Sequence, residues 1–205
     1  VYGCEYEVGI FTNLTQDHLD FHKTMENYME AKAKLFDISK SGAVNYDDLY
    51  GKRIAEAKKD ANILTYGLNR GADVAAQNIS ITARGVTFEV LYKDEVYPME
   101  LCIPGKFSVY NALSAITCAL LTGLDMKTIA LGLKKAKGVM GRVEVVPTST
   151  DYTVIIDYAH APDGLENIIK TVCEYAQGRV ITLFGCGGDR DNSKRAVMGE
   201  IAGRL

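Results

Sequence analysis

The chain has 205 residues, of which 47% are hydrophobic and 24% are charged, as is typical of a folded protein with one large or two small domains. Its formal net charge is −3, so no broad basic surface points to nucleic acid, and no apolar run is long enough for a transmembrane helix. The five cysteines are odd in number and form no CxxC pair, which favours reduced thiols in a cytoplasmic protein.

A cluster of acids and histidines follows the first predicted strand, Glu7–Leu14. Asp17, His18, Asp20 and His22 lie within six residues, after the strand end where open α/β folds place their ligands. Aspartate and histidine are good ligands for divalent metals. A polar helix start explains the same residues equally well, so both interpretations stay open on residue chemistry alone.

A lysine occupies an apolar position of the next predicted helix. The helical pattern starts at Met25, and Lys32 lies on its apolar stripe, whereas Lys34 lies on the polar row. Such a lysine either extends its ammonium group to solvent from the stripe edge, or is partly buried, metal-associated or chemically modified. The other apolar members of the stripe are Tyr28, Met29, Leu35 and Phe36.

Strands and helices then alternate along the chain. Predicted strands at Ala43–Tyr46 and Asn62–Tyr66 flank a predicted helix at Gly51–Lys59. This alternation favours a parallel sheet with helices on its faces. From Val74 to Ile103, apolar and polar residues alternate between turn signals, which predicts antiparallel hairpins.

Two helices follow the hairpins. The first is predicted from a Ser108 cap to about Leu121, with Asn111 in its first turn and off its apolar face. The Asn111 amide can bind the polar edge of a ligand or simply cap the helix. The second helix is predicted at Met126–Lys135, capped by Asp125.

The glycine-punctuated segment 137–142 predicts a hinge between two domains. Arg142 in this hinge is a candidate cation for phosphate when domains close, or only a linker charge. Beyond the hinge, a second α/β pattern begins. Its predicted elements are strands at Arg142–Val146, Tyr152–Ile156 and Arg179–Phe184, and helices at Pro162–Tyr175 and from Ser193 onward.

Two polar loops follow neighbouring strands of this second pattern and are expected to open on the same crevice. The first contains Asp157 and His160, and the second is the sequence GCGGDRD at 185–191. The second loop lacks the third glycine of a dinucleotide fingerprint, and it is either an anion-binding loop or a tight turn with solvated charges. No GxxxxGK[ST] loop occurs in the chain. Three cations could add charge to the second loop: Arg190, Lys194 and Arg195.

Six stretches, in this order, resemble the Mur ligase family, and most closely the member that adds the third residue of the peptidoglycan stem peptide. The resemblance implies an α/β fold: residues 1–140 form the latter part of a central P-loop-type ATPase domain, with a mixed sheet, helices and a small antiparallel sheet. Residues 141–205 form the first part of a Rossmann-like C-terminal domain. The stretches are FTNLTQDHLDFH (11–22), YMEAKAKLF (28–36), GKFSVYNAL (105–113), GVMGRVE (138–144), IIDYAHAPDGLEN (155–167) and FGCGGDRDNSKR (184–195).

The resemblance also implies roles for single residues. His18 matches a metal-binding histidine, and Lys32 matches a lysine that the family carbamylates, which turns a cation into an anion able to hold Mg²⁺. Asn111 matches a contact to the adenine of ATP. The remaining matches are Arg142, Asp157 and His160, at the nucleotide in the closed state, and Arg195, at the carboxylate of the incoming amino acid.

The implied activity is ATP-dependent formation of an amide bond through an acyl phosphate. Lysine or meso-diaminopimelate would be added to UDP-MurNAc-L-Ala-D-Glu by a monomeric cytoplasmic enzyme that uses Mg²⁺, without nucleic acid or membrane insertion. The chain alone is expected to be an inactive fragment, because it has no phosphate-binding loop. Two other function classes are a metal-dependent phosphohydrolase that uses DHLDFH and a non-catalytic anion-binding module.

Overall fold

The structure, a computed structural model, describes residues 3–15, 19–187 and 193–205. The chain folds into two compact units. The first unit comprises Val1–Ile79, Thr87–Glu100 and Val109–Lys134, and the second comprises Ser80–Val86, Leu101–Ser108 and Lys135–Leu205.

Six strands form one sheet, and their order in space is their order in the sequence. The first four strands run parallel, as the strand–helix alternation predicts. Two-residue turns join the last three strands, and Lys93 and Asp94 in the second turn have φ values of 50° and 63°, as a type I′ hairpin turn requires. The strands are β1 (Tyr6–Phe11), β2 (Ser39–Asn45), β3 (Ile63–Gly67), β4 (Val74–Thr82), β5 (Gly85–Tyr92) and β6 (Glu95–Leu101).

Three helices along this part of the chain begin at capping side chains that their sequences supply. Thr24 accepts a hydrogen bond from the Asn27 amide, and Asp48 accepts from two amides of the following turn. Hydrogen bonds from Thr128 hold the pKa of the Asp125 cap below its usual range. The helices are α1 (Leu19–His22), α2 (Met25–Ala33), a 3-10 helix (Lys34–Ile38), α3 (Leu49–Ala57), α4 (Lys106–Leu121) and α5 (Met126–Lys135).

The core of the first unit lies where α2, the 3-10 helix and α3 pack on β1 and β2. Its buried members are at most 5% exposed, and burying each large apolar side chain contributes about 1.5–3 kcal/mol. Met25, Tyr28 and Met29 of α2 pack against them, which confirms the predicted apolar stripe. The buried members are Phe11, Leu14, Phe36, Val44 and Ile54.

The predicted start of the next helix is wrong. The helix α4 begins at Lys106 rather than after a Ser108 cap. Ser108 is buried in its first turn and donates its hydroxyl proton to the Pro104 carbonyl oxygen at 2.7 Å. A buried hydroxyl group needs a hydrogen-bond partner. The Ser108 hydroxyl therefore binds a nearby backbone carbonyl instead of capping the amides of the helix. The predicted apolar face is correct for Val109, Leu113 and Ile116, which are fully buried.

The second unit contains a small antiparallel sheet and two helices that pack together. The strands are β7 (Glu144–Val146) and β8 (Val154–Ile156), and the helices are α6 (Pro162–Cys173) and α7 (Ser193–Arg204). Four buried residues from the two helices form its apolar cluster: Leu165, Ile169, Met198 and Ile201. The α/β class and the presence of a small antiparallel sheet are therefore confirmed, but this sheet lies at residues 144–156 and not within residues 1–140.

The strand predicted at Arg179–Phe184 is not formed as a hydrogen-bonded strand. Phe184 packs against the apolar cluster of α6 and α7, whereas Leu183 beside it is 97% exposed. Burial alternates along this apolar segment, but the segment pairs with no neighbouring strand among the described residues.

Candidate active site

Lys32 lies on the half-buried face of α2, as its position in the apolar stripe predicts. Its Nζ atom is 5.2 Å from the centre of the Tyr28 ring, and that ring stacks on the His22 imidazole at 4.3 Å and 11°. An aromatic face attracts an ammonium group, so this platform accommodates the unmodified lysine. The Lys32 side chain is thus half-buried, with its ammonium group at the face of this ring.

The predicted metal ligand His18 and its neighbour Asp17 lie outside the described residues. Asn13, which the motif places beside them, is exposed just after β1. Within the part of the chain that the structure describes, no three histidine, cysteine, aspartate or glutamate side chains are grouped to hold a metal ion. The metal site that joins His18 and Lys32 therefore stays a prediction.

Asn111 is exposed in the second turn of α4, and the Tyr110 side chain beside it points to the end of β2. The Tyr110 hydroxyl donates to Asp47 Oδ2 at 2.9 Å. Burial, and then the hydrogen bond and charge of Asp47, raise the pKa of Tyr110 to about 12. The tyrosine hence stays a hydrogen-bond donor at physiological pH.

Residues 138–143 of the second unit form a tight turn with an unusual backbone. Gly138 and Gly141 have φ values of 79° and 71°, and Val143 has a φ of 45°. Glycine adopts this region without strain, but for a β-branched residue it is an outlier that costs about 1–3 kcal/mol. Arg142, between Gly141 and Val143, is exposed and places its guanidinium carbon 4.8 Å from the centre of the Tyr158 ring.

The Asp157 carboxylate holds this turn against the loop after β8. Its Oδ2 atom accepts the Val143 amide at 2.9 Å, and its Oδ1 atom accepts the Ala159 amide at 2.8 Å. Charge-assisted bonds of this kind are stronger than neutral ones. Asp157 therefore compensates for the strained backbone of Val143 and fixes the start of the DYAH loop.

His160 shares the aromatic platform of Arg142. Its ring packs edge-on against Tyr158 at 5.1 Å, and its Nδ1 atom is 3.1 Å from the Tyr158 carbonyl oxygen. The Lys194 ammonium group of α7 donates to the His160 carbonyl oxygen at 3.1 Å. The second unit therefore brings Arg142, Asp157 and His160 together beside the start of α7, where Arg195 is exposed.

Comparison with known families finds two domains that match this chain. The Mur ligase middle domain matches residues 1–119, and the glutamate ligase domain of Mur ligases matches residues 141–205. The chain belongs to the Mur ligase family. The boundary between the two matched regions lies around the turn at 138–143.

Two curated relatives cover nearly all of this Mur ligase chain. The chain is 49% identical over 209 residues to UDP-N-acetylmuramoyl-L-alanyl-D-glutamate–2,6-diaminopimelate ligase 1 of Clostridium acetobutylicum, covering 100% of this chain and 43% of that protein. It is 47% identical over 203 residues to the ligase of the same name, without the number, from Caldanaerobacter subterraneus, covering 98% of this chain and 42% of that protein. The chain therefore spans less than half the length of these Mur ligases.

Solved Mur ligase structures share the fold. A UDP-N-acetylmuramoyl-L-alanyl-D-glutamate–2,6-diaminopimelate ligase superposes with a TM-score of 0.80 at 32% identity, covering 98% of this chain and 42% of that chain. MurF from Acinetobacter baumannii superposes with a TM-score of 0.71 at 23% identity, covering 83% of this chain and 38% of the MurF chain. The likeness to MurF supports the fold alone.

Asp47 is a residue of this Mur ligase that the sequence patterns leave without a role. It follows β2, and its carboxylate accepts hydrogen bonds from Tyr110 and from the Leu68 and Asn69 amides. A carboxylate just after the C-terminal end of a parallel strand is a signal that could have singled it out. Its partner on α4 is far away in sequence, so the contact itself could not be predicted.

Replacing Asp157 by alanine is expected to loosen the turn of this Mur ligase. The Val143 and Ala159 amides lose their acceptor, so their hydrogen exchange should accelerate roughly tenfold or more in the Asp157→Ala variant. The Gly141 amide is an internal control, because it donates to Glu144 Oε2 at 2.8 Å instead. Unchanged protection of Val143 would contradict the role of Asp157 in holding the turn.

Proposed function

We propose that this chain is part of an ATP-dependent ligase that adds 2,6-diaminopimelate to UDP-MurNAc-L-Ala-D-Glu during synthesis of the peptidoglycan precursor. The observation that carries the proposal is the match along the whole chain to relatives named for this activity, at 49% and 47% identity. Residues 1–140 would belong to the central ATPase domain and residues 141–205 to the C-terminal domain, a division supported by the two matched family regions.

The proposed reaction has two steps that balance without a redox partner. The terminal carboxylate of the dipeptide takes the γ-phosphoryl group of ATP, giving an acyl phosphate and ADP. The amine of the incoming amino acid then attacks the carbonyl carbon, and the tetrahedral intermediate expels phosphate while the nitrogen loses a proton. The protein has to neutralise the phosphates, hold the reacting groups in line and exclude water.

The second unit supplies groups suited to the phosphates and the amino acid. The guanidinium group of Arg142 is exposed and oriented by the Tyr158 ring, so it can meet a phosphate. Both Asp157 oxygens accept backbone amides, so this residue fixes the loop that carries His160 to the nucleotide. Arg195, in the first turn of α7, would bind the carboxylate of the incoming amino acid.

The first unit supplies the proposed adenine contact, Asn111, and one limb of a magnesium site. Bound Mg²⁺ supplies charge neutralisation at the phosphates. An ammonium group does not coordinate a cation, so Lys32 fits such a site only as a carbamate, whose two oxygens resemble a carboxylate. The half-buried Lys32 side chain on its aromatic platform is compatible with this modification, and His18 would be the second protein ligand.

The proposal includes the localisation, oligomeric state and partners of the protein. Within residues 3–15, 19–187 and 193–205, no helix is both long and apolar enough to cross a bilayer. We propose a monomeric cytoplasmic enzyme with small-molecule substrates and no nucleic-acid partner. The phosphohydrolase and anion-binding alternatives gain no support from the relatives, which are named as ligases.

The activity of the whole protein tests the proposal. ADP release should require ATP, the UDP-linked dipeptide and diaminopimelate together, because each phosphoryl transfer is completed by the amine. Lysine in place of diaminopimelate should give little ADP if the amino acid preference follows that of the relatives. Phosphate release without any amine acceptor would favour a phosphohydrolase instead.

The 205-residue chain on its own is expected to form no amide bond and to bind ATP weakly. Its sequence contains no GxxxxGK[ST] loop, so the usual cradle of backbone amides around the phosphates is absent from these residues. Isothermal titration with ATP and a product assay by mass spectrometry measure both properties. Robust amide-bond formation by this chain would contradict the proposal that catalysis requires a phosphate-binding loop that these 205 residues do not contain.

A further inference from the structure

A hydrogen-bonded chain of side chains starts at the end of β2 and reaches the segment after β1. Asn45 is the last residue of β2 and is only 8% exposed. Its Nδ2 atom donates to the Thr12 carbonyl oxygen at 2.8 Å, and its Oδ1 atom accepts the Asp47 amide at 3.0 Å. Thr12 directly precedes Asn13 and the segment that carries the proposed metal ligand.

The same chain continues from Asp47 to the proposed adenine contact. Asp47 Oδ2 accepts the Leu68 amide at 2.6 Å and the Tyr110 hydroxyl at 2.9 Å. A Cβ atom on Gly67 would lie 2.8–2.9 Å from this carboxylate, so the glycine leaves room for its close approach. The Asp47 carboxylate is therefore held next to the end of β3 independently of its hydrogen bond to α4.

Tyr110 and Asn111 are consecutive residues of α4, so their side chains leave the helix about 100° apart. The buried apolar face of α4 holds the helix on the core, but apolar contacts are not directional. A hydrogen bond to a fixed carboxylate is directional, so it sets the rotation of this turn and hence the direction of Asn111.

We infer that Asp47 and Tyr110 are positioning residues for nucleotide binding, which set the direction of Asn111 relative to the segment after β1. This inference rests on the proposed function, because it takes Asn111 as a contact to the base of ATP. It adds two residues that are 63 positions apart in the sequence and are joined by a hydrogen bond.

Steady-state kinetics of the whole protein with the Tyr110→Phe variant tests the inference. The change removes the hydroxyl group and keeps the ring, so the core packing stays. The KM for ATP should rise roughly five- to tenfold, which corresponds to about 1–1.4 kcal/mol, within the range for the net contribution of one hydrogen bond. The kcat and the KM values for the dipeptide and the amino acid should stay within about twofold of the wild-type values. In the proposed function, Asn111 contacts only the adenine of ATP and neither of these two substrates.

The Tyr97→Phe variant is a matched control. The Tyr97 hydroxyl donates to Glu95 in β6, so this variant also breaks a bond between a phenol and a carboxylate in the same unit. It should leave the KM for ATP unchanged. An equal rise in both variants would show a general loss of stability and would overturn the inference.

A double-mutant cycle shows whether Tyr110 acts through Asn111. In an Asn111→Ala background, Tyr110→Phe should have no further effect on the affinity for a non-hydrolysable ATP analogue, measured by calorimetry. Additive losses would overturn the inference, because Tyr110 would then act independently. If the wild type binds the analogue but forms no amide bond, the proposed function fails and the cycle still reports on positioning.

Should Tyr110→Phe fold poorly, Asp47→Asn provides the second variant. The amide oxygen can still accept from Tyr110, but without the negative charge the bond is weaker. Its KM for ATP should lie between those of the wild type and Tyr110→Phe. A KM equal to that of the wild type in both variants would overturn the inference.

Discussion

We expect the Lys32→Ala variant of the whole protein to form amide bonds about a hundredfold more slowly than the wild type, or slower still. A magnesium ion at a transferring phosphate contributes several kcal/mol, and each 1.4 kcal/mol corresponds to about a tenfold change in rate. The loss would come from the missing carbamate and not from unfolding. Lys32 is only half-buried on α2, and alanine is a good helix former.

Short carboxylates should restore part of this activity. Formate or acetate can enter the space that the side chain leaves above the Tyr28 ring and offer oxygens to the metal. The Lys34→Ala variant is the matched control, because Lys34 is exposed on the adjoining 3-10 helix and should retain full activity.

Two outcomes would count against the role of Lys32. Full activity of Lys32→Ala would remove it from the catalytic machinery. A carbamate signal from ¹³C-labelled bicarbonate that persists in Lys32→Ala would assign the modification to another lysine.

The second large effect is expected at Gly51, where a methyl group has no space. A Cβ atom at Gly51 in α3 would lie 1.9 Å from the Asn45 carbonyl oxygen, which belongs to the backbone of β2. The helix or the strand would have to move, so Gly51→Ala should lower the free energy of unfolding by about 3 kcal/mol or more. In thermal unfolding followed by circular dichroism, the melting temperature should fall by roughly 6–12 °C.

Gly132→Ala is the opposite case on α5. Nothing lies within 4 Å of a Cβ atom at Gly132, which is exposed in the helix. Alanine should therefore raise the free energy of unfolding by about 0.5–1 kcal/mol through its higher helix propensity. Equal melting temperatures of the two variants would show that α3 does not pack as closely on β2 as the structure has it.

The sequence predicts the alternating elements because their patterns are local. The parallel strands follow from strand–helix alternation, and the hairpins from turn residues such as Lys93 and Asp94. The strand at Arg179–Phe184 could not be predicted correctly in the same way. An apolar run indicates a buried strand, but pairing depends on a neighbouring strand that no local pattern specifies.

The residues of the candidate site also fall into those that local motifs predict and those that depend on tertiary contacts. Motifs single out Lys32, Asn111 and Arg142, because each lies in a short characteristic stretch. The bond between Tyr110 and Asp47 depends on how α4 meets the sheet, which no stretch of sequence encodes alone. The positive φ of Val143 runs against the preference of valine, so it follows from its surroundings and not from propensity.

The order of the six strands bears on how the protein can form during synthesis. Within the part of the chain that the structure describes, every hydrogen-bonded neighbour in this sheet is the preceding or following strand. Each of β2 to β6 therefore finds its preceding partner already synthesised when it leaves the ribosome, and none of these six strands has to be inserted between two others. These six strands can therefore pair one after another at the same edge of the sheet while translation continues.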